Sequence, residues 1–137
     1  MFLRSKALRR KLLLRVSDVM LTHNLPTLLP DRPMRECVVV LAKRRGTVAV
    51  VNGEGCLLGV VTAGDLTRLM ERTDRFLDTP VSEVMTRAPK TTTPDELAGA
   101  AVGLMEQYGI MALPVLDGGD TVVGMVHLHD LMKAGAV

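Results

Sequence analysis

Two stretches of this 137-residue chain bring polar side chains to a point where a strand would run into a helix. In Leu57-Leu58-Gly59-Val60-Val61-Thr62-Ala63-Gly64-Asp65-Leu66, an apolar strand ends at Thr62 and a helix opens at Ala63-Gly64-Asp65. The first backbone N–H groups of a helix have no intrahelical partner, so Thr62 and Asp65 flank a natural place for an anion. The alternative is purely local: Thr before a helix caps it, and Asp in the first turn faces the positive end of the helix dipole. The second stretch is Val123-Gly124-Met125-Val126-His127-Leu128-His129-Asp130-Leu131. Asp130 stands at the place of Asp65, and His127 at that of Thr62. A strand would put His127 and His129 on one face, as metal ligands require. His129, however, reads as already helical, and His23 is far off in sequence, so no metal site is expected. No Ser or Cys sits in a nucleophile elbow, and Gly53-Glu54-Gly55 is a hairpin turn followed by a strand, not a dinucleotide fingerprint. No catalytic residue, metal or cofactor is assigned.

The likeness of the two stretches extends along the chain. At the spacing of 65 that carries Gly59 to Gly124, Val16-Ser17-Asp18-Val19-Met20 falls on Val81-Ser82-Glu83-Val84-Met85. Val50 falls on Val115, Asn52 on Asp117 and Gly53 on Gly118. Three blocks in one register, without a gap, indicate an internal duplication.

The elements that must position these residues follow from pattern. Thr27-Leu28-Leu29 is a short strand, and Pro33 opens a helix with Met34, Cys37, Val38 and Leu41 at helical spacing. Lys43-Arg44-Arg45-Gly46 closes that helix with positive charge and a glycine. Thr47 to Asn52 and Cys56 to Thr62 form a hairpin, and a helix to Arg72 buries Leu66, Leu69 and Met70. The second copy has a strand at Lys90 to Thr93 and a helix opened by Pro94-Asp95-Glu96. That helix carries Leu97, Ala100, Ala101, Leu104, Met105 and Tyr108 on one side. A hairpin over Ala112 to His127 and a helix from Leu128 to Ala136 complete it. Each copy is β-α-β-β-α, too small to cover its own sheet, so the fold class is α+β with two repeats packed together. The expected divisions are a basic arm (1–15), a first repeat (16–72), a linker (73–79) and a second repeat (80–137). Ser17 is expected to cap the turn after the arm.

Composition narrows the function classes. The apolar fraction is 47% and the aromatic fraction 2%, so the core must be aliphatic. No apolar run approaches the ~20 residues of a membrane span. Met1-Phe2-Leu3-Arg4 does not read as a secretory signal. Cys37 and Cys56 form no C-x-x-C pair, which fits reduced thiols in a cytoplasmic protein. Arg4, Lys6, Arg9, Arg10, Lys11 and Arg15 all precede the first acid, Asp18. Such an arm can touch an anionic surface or be a solvated helix or linker; with Leu8, Leu12, Leu13 and Leu14 between the charges it can also pack on the body as an amphipathic helix. No aromatic-basic or zinc-finger pattern accompanies it, so neither nucleic acid nor membrane is expected as a partner.

The tandem β-α-β-β-α order, with its V-S-D-V-M and V-S-E-V-M leaders, resembles a CBS domain pair (a Bateman module, after cystathionine β-synthase). The signature of such domains is Gly-x-x-Thr/Ser-x-x-Asp/Asn at the closing helix. Gly59, Thr62 and Asp65 match it fully; Gly124 and Asp130 match, with His127 in the Thr/Ser place. Residues 10–20 and 127–135 are similar, more narrowly, to the CBS region of arabinose 5-phosphate isomerases, bacterial enzymes on the route to the lipopolysaccharide sugar Kdo. Nothing here matches the motif of their sugar-isomerase domain, so the chain is read as the regulatory part of such an enzyme or as a stand-alone relative, and not as an enzyme.

The resemblance implies a nucleotide or nucleotide-sugar ligand (AMP, ATP or CMP-Kdo), a homodimer formed through the CBS helices, and regulation of an attached or partner sugar isomerase domain. Asp65 would accept hydrogen bonds from ribose hydroxyls, and Thr62 would donate to a phosphate oxygen. By the family's crossed arrangement, Thr93 and Ala98 would complete the Asp65 cleft, with backbone from Thr47 to Ala49 meeting the base. The cleft of His127 and Asp130 would meet Leu28 and Pro33 instead. An acidic ligand there is expected to favour protonated His127 and bind more tightly as pH falls. The competing reading is a structural dimerisation module with empty or vestigial clefts.

Overall fold

In a computed structural model, residue 9 and residues 12–136 are described. Arg4, Lys6, Leu8, Arg10 and Lys11 of the basic arm lie outside them. Arg9, Leu12 and Leu13 have helical backbone; both leucines are exposed, while Leu14 is half-buried and packs against the core that holds Val16. No described helix is long and apolar enough to cross a membrane.

The strands are β1 (Thr27–Leu28), β2 (Thr47–Val51), β3 (Leu57–Thr62), β4 (Thr86–Arg87), β5 (Ala112–Leu116) and β6 (Val122–His127). The helices are α1 (Met34–Lys43), α2 (Ala63–Arg72), α3 (Ala98–Tyr108) and α4 (Leu128–Lys133). Three 3-10 turns, Val16–Asp18, Phe76–Asp78 and Val81–Glu83, complete the order. One sheet has the order β1-β2-β3-β4, and β5 pairs with β6 in a second. Strand β1 runs parallel to β2, and β3 is antiparallel to both β2 and β4.

The chain folds into two units. A middle unit takes residues 24–89 with 120–122, and a flanking unit takes the described residues up to 23 with 90–119 and 123–136. Each has its own aliphatic core. Met34, Cys37, Leu41, Val48, Val50, Val61, Leu69 and Val81 form the middle one. Val16, Ala98, Ala101, Val102, Met105, Leu113, Val115, Val126, Leu131 and Ala136 form the other.

Those clusters show that the leaders are exchanged between the repeats. Val16 belongs to the first copy in sequence, yet it is fully buried in the core built around α3; Val81 is likewise buried against α1. Matching bonds hold them: Val16 and Ser17 N–H donate to Glu96 and Pro94 carbonyls, as Val81 and Ser82 N–H donate to Arg32 and Pro30. These bonds explain why α3 opens at Ala98 and not at Pro94. A helix over 94–97 would need the Pro94 and Glu96 carbonyls for its own ladder, and the leader already takes both. The bonds also show a spacing of 64 at this point (Pro30 to Pro94, Arg32 to Glu96), so the repeat register slips by one residue and returns to 65 at β2, where Val50 matches Val115.

Smaller departures share one cause, the position of neighbours. Met70, Leu97, Ala100 and Tyr108 are exposed, while Ala98 and Val102 face the core. Thr92 alone of 90–93 pairs, in a bridge to Val115. Asp18, not Ser17, holds the first turn, accepting the Arg15 N–H at 2.8 Å. Residues 73–79 pack closely: Phe76 lies against the middle core, and Thr79 O accepts the Met34 N–H.

Candidate ligand site

The middle unit sets Thr47, Thr62 and Asp65 at one end of its hairpin. Thr47 opens β2 and is the cross-strand partner of Thr62, the last residue of β3. Helix α2 begins at the next residue, and Ala63 N–H donates to Gly46 O at 3.1 Å. Gly46 (φ 81) and Arg45 (φ 60) both take left-handed backbone to turn the α1 end into β2. Arg45 does so without the freedom of glycine.

Thr62 and Asp65 lock one another in a reciprocal cap. Asp65 Oδ2 accepts the Thr62 N–H at 2.9 Å and its Oγ1–H at 3.1 Å, while Asp65 N–H donates to Thr62 Oγ1 at 3.3 Å. The other oxygen, Oδ1, accepts Arg68 Nη2 at 2.6 Å. The carboxylate side chain is only 10% exposed and the Arg68 side chain 67%, so a seated acceptor carries an outer, solvated counterion. Arg68 was not singled out from sequence, although its i,i+3 spacing from Asp65 is a signal for such a pair. Cys37 lies in the same core, its thiol pushed up to about 11 by burial and then by the Asp65 charge. A thiol so placed stays protonated and unreactive.

Ala49 is fully buried two residues along β2, and its N–H is taken by Pro26 O. Thr93 and Ala98 belong to the flanking unit. Thr93 is exposed; Ala98 is fully buried, and its N–H donates to Leu14 O at 2.7 Å. With the one-residue slip, the counterparts of Thr93 and Ala98 are Leu29 and Met34, not Leu28 and Pro33.

The second junction is built differently. His127 ends β6, and its Nδ1 accepts the N–H of His129, the second residue of α4, at 3.1 Å. Asp130 is half-buried in the first turn of this six-residue helix. An imidazole that takes a proton on Nδ1 can no longer accept a hydrogen bond there, and it places a cation at the positive end of a helix. Acid-favoured binding at His127 would have to overcome that loss. Among the described residues, no group of three or more His, Cys, Asp or Glu could hold a metal ion.

The signature glycines serve packing. A Cβ on Gly59 would stand 2.6 Å from Thr86 O and 2.8 Å from Met85 Sδ. One on Gly124 would stand 2.8 Å from Met20 Sδ and 2.9 Å from Leu21 O. Each glycine thus admits the methionine of the leader carried by the other repeat.

Comparisons with known proteins agree with this architecture. Arabinose 5-phosphate isomerase KdsD of Yersinia pestis is 38% identical over 133 residues, 96% of this chain and 40% of the relative. The enzyme of the same name from Francisella tularensis is 36% identical over 128 residues, 93% of this chain and 39% of the relative. The chain thus spans about two fifths of the length of these curated relatives. Among solved structures, the CBS domain pair of protein MJ0100, in complex with 5′-methylthioadenosine and S-adenosyl-L-methionine, superposes with a TM-score of 0.77 at 25% identity, over 87% of this chain and 97% of that one. The CBS domain of a CBS domain containing membrane protein from Sphaerobacter thermophilus has a TM-score of 0.74 at 24% identity, over 96% and 94%. The CBS domain profile matches residues 16–72 and 81–137, and the chain belongs to the CBS domain family, with two such domains in tandem.

Proposed function

We propose that this CBS pair is a ligand-sensing regulatory module that binds a nucleotide or nucleotide-sugar at the Thr62–Asp65 junction. One observation carries the reading: Asp65 is a nearly buried carboxylate fixed by its cap through Oδ2, with Oδ1 held by an exposed arginine. A ribose diol arriving at Oδ1 would displace Arg68 and free its exposed guanidinium for a phosphate. The positive end of the α2 dipole adds to the attraction for the same anion. The adenosyl ligands of MJ0100 support an adenine nucleotide. The KdsD relatives support an attached or partner sugar-phosphate isomerase domain as the target, and with it CMP-Kdo as a candidate feedback ligand. We place a homodimer interface on the CBS helices, where Val39, Met70 and Met132 leave apolar surface exposed; a monomer mass by light scattering at micromolar concentration would refute it.

The second reading, a dimerisation module with vestigial clefts, is favoured by the Arg68 pair itself, which already satisfies Asp65. Calorimetric titration with AMP, ATP, CMP and CMP-Kdo separates the two. The sensing reading expects at least one to bind, and Asp65→Ala to weaken it by roughly tenfold or more, since hydrogen bonds to a charged group contribute about 1.5–3 kcal/mol. If none binds, the structural reading stands.

A further inference from the structure

The two units differ at one matched place. In the middle unit Arg32, just ahead of α1, grips Glu36 with Nε to Oε2 at 2.6 Å and Nη2 to Oε1 at 2.8 Å. The matching leader bonds make Glu96 the counterpart of Arg32, and Ala100, four residues on, the counterpart of Glu36. No ion pair can form between Glu96 and Ala100. Here the flanking unit has a cleft of about 270 Å³, whose lining includes Thr92, Thr93, Glu96, Ala100, Leu104 and Gly119.

Thr92 marks this cleft as more than a gap. It is 7% exposed, and its Oγ1 is buried with no hydrogen-bond partner among the described residues. Its backbone is fully engaged, N–H to Pro114 O and C=O to the Leu116 N–H, so only the side chain is unsatisfied. Leu28 pairs with Val50 as Thr92 pairs with Val115, so the middle unit has an apolar side chain at this place, packed against its core. A buried hydroxyl without a partner is destabilising unless something else supplies the bond. Among the described residues Glu96 is the one charged side chain lining the cleft, and its Oε1 accepts the Leu97 N–H at 3.0 Å, which leaves Oε2 as an acceptor. An acid, a row of threonines and an apolar wall disfavour an anion.

We propose that this cleft binds a small hydroxylated amine. The ammonium group meets Glu96, a hydroxyl meets Thr92, and the carbon skeleton lies against Ala100 and Leu104. The site lies within the flanking unit and selects a cation.

The test is an amide chemical-shift titration of the full chain with serinol (2-amino-1,3-propanediol), with glycerol and glycerate as controls. Serinol is expected to give saturable shifts at Thr92, Thr93, Ala100 and Gly119, glycerol to bind roughly tenfold more weakly for want of the charged contact, and glycerate to give none. Ala100→Leu, which fills the cleft from an exposed helix position, should abolish the shifts. Glu96→Gln should reduce serinol to the level of glycerol. Thr92→Val keeps the side-chain shape, and should weaken serinol while raising the melting temperature. Absence of saturable shifts at millimolar serinol, equal binding of glycerate, or shifts indifferent to Ala100→Leu would overturn the proposal.

Discussion

The two helix starts descend from one duplicated signature and have become different devices. At α2 a hydroxyl both donates to the Asp65 carboxylate and accepts from the Asp65 N–H, and the carboxylate still has Oδ1 for an exposed arginine. At α4 a ring nitrogen accepts a single N–H, and the helix runs for six residues against ten. Where the cap residue is donor and acceptor at once, the acid is oriented through one oxygen and keeps the other for an outer partner. Where the cap is a ring nitrogen, it holds one backbone N–H of the first turn. The glycine three residues ahead of each cap does not differ: it makes room for a leader methionine in both units. The first signature position therefore reports the fold, and the fourth and seventh report the chemistry.

The largest expected effect tests that constant part. Gly59→Ala brings a Cβ to 2.6 Å from a backbone oxygen, Thr86 O. Gly124→Ala meets mainly the Met20 sulfur, at 2.8 Å, with Leu21 O at 2.9 Å. Overpacking of this kind costs about 1–3 kcal/mol, and backbone yields less readily than a methionine side chain. In urea unfolding Gly59→Ala should fall at the upper end of that range and Gly124→Ala below it. If both variants unfold as the native chain does, the glycines have another purpose.

A smaller effect separates the two oxygens of Asp65. Asp65→Ala removes the acceptor for Thr62 N–H and Oγ1–H, and loss of such a cap costs about 1 kcal/mol. Stability is thus expected to change together with ligand affinity. Arg68→Ala removes a pair with a largely exposed partner and should cost roughly 0.5 kcal/mol or less. Equal losses from the two substitutions would show that the ion pair, not the cap, seats the carboxylate.

Much of this was legible in the sequence because it is written in local pattern. The hairpins, the start of α1 and the Thr62–Asp65 junction each follow from residues within a few positions of one another, and the duplication from short blocks repeated at one spacing. The exchange of leaders does not, since nothing in Val16-Ser17-Asp18-Val19-Met20 says which helix start will bond to it. The late start of α3 is hidden for the same reason: Pro94-Asp95-Glu96 has the composition of a helix opening, and only the leader occupying its carbonyls prevents one. The slip from 65 to 64 shows in the identical pair Pro30 and Pro94, but Arg32 stands against Glu96 beside it and masks the alignment. Thr92 reads as one more strand threonine until the cleft beside it and its unpartnered hydroxyl are in view.

The smallest effect bears on the titratable junction. Neutral His127 accepts the His129 N–H through Nδ1; with both nitrogens protonated the ring has no acceptor, and its charge opposes the dipole of α4. His127→Thr supplies a hydroxyl that accepts at every pH, as Thr62 does. Stability of the native chain and of His127→Thr should be compared by urea unfolding at pH 8 and pH 5, across the range where imidazoles take up protons. The difference between the two chains removes every titration they share. It should shift by roughly 0.5–1 kcal/mol in favour of the variant at the lower pH, the worth of one helix cap. A difference that stays constant with pH would mean that Nδ1 does not cap α4, and that the two helix starts differ in sequence more than in mechanism.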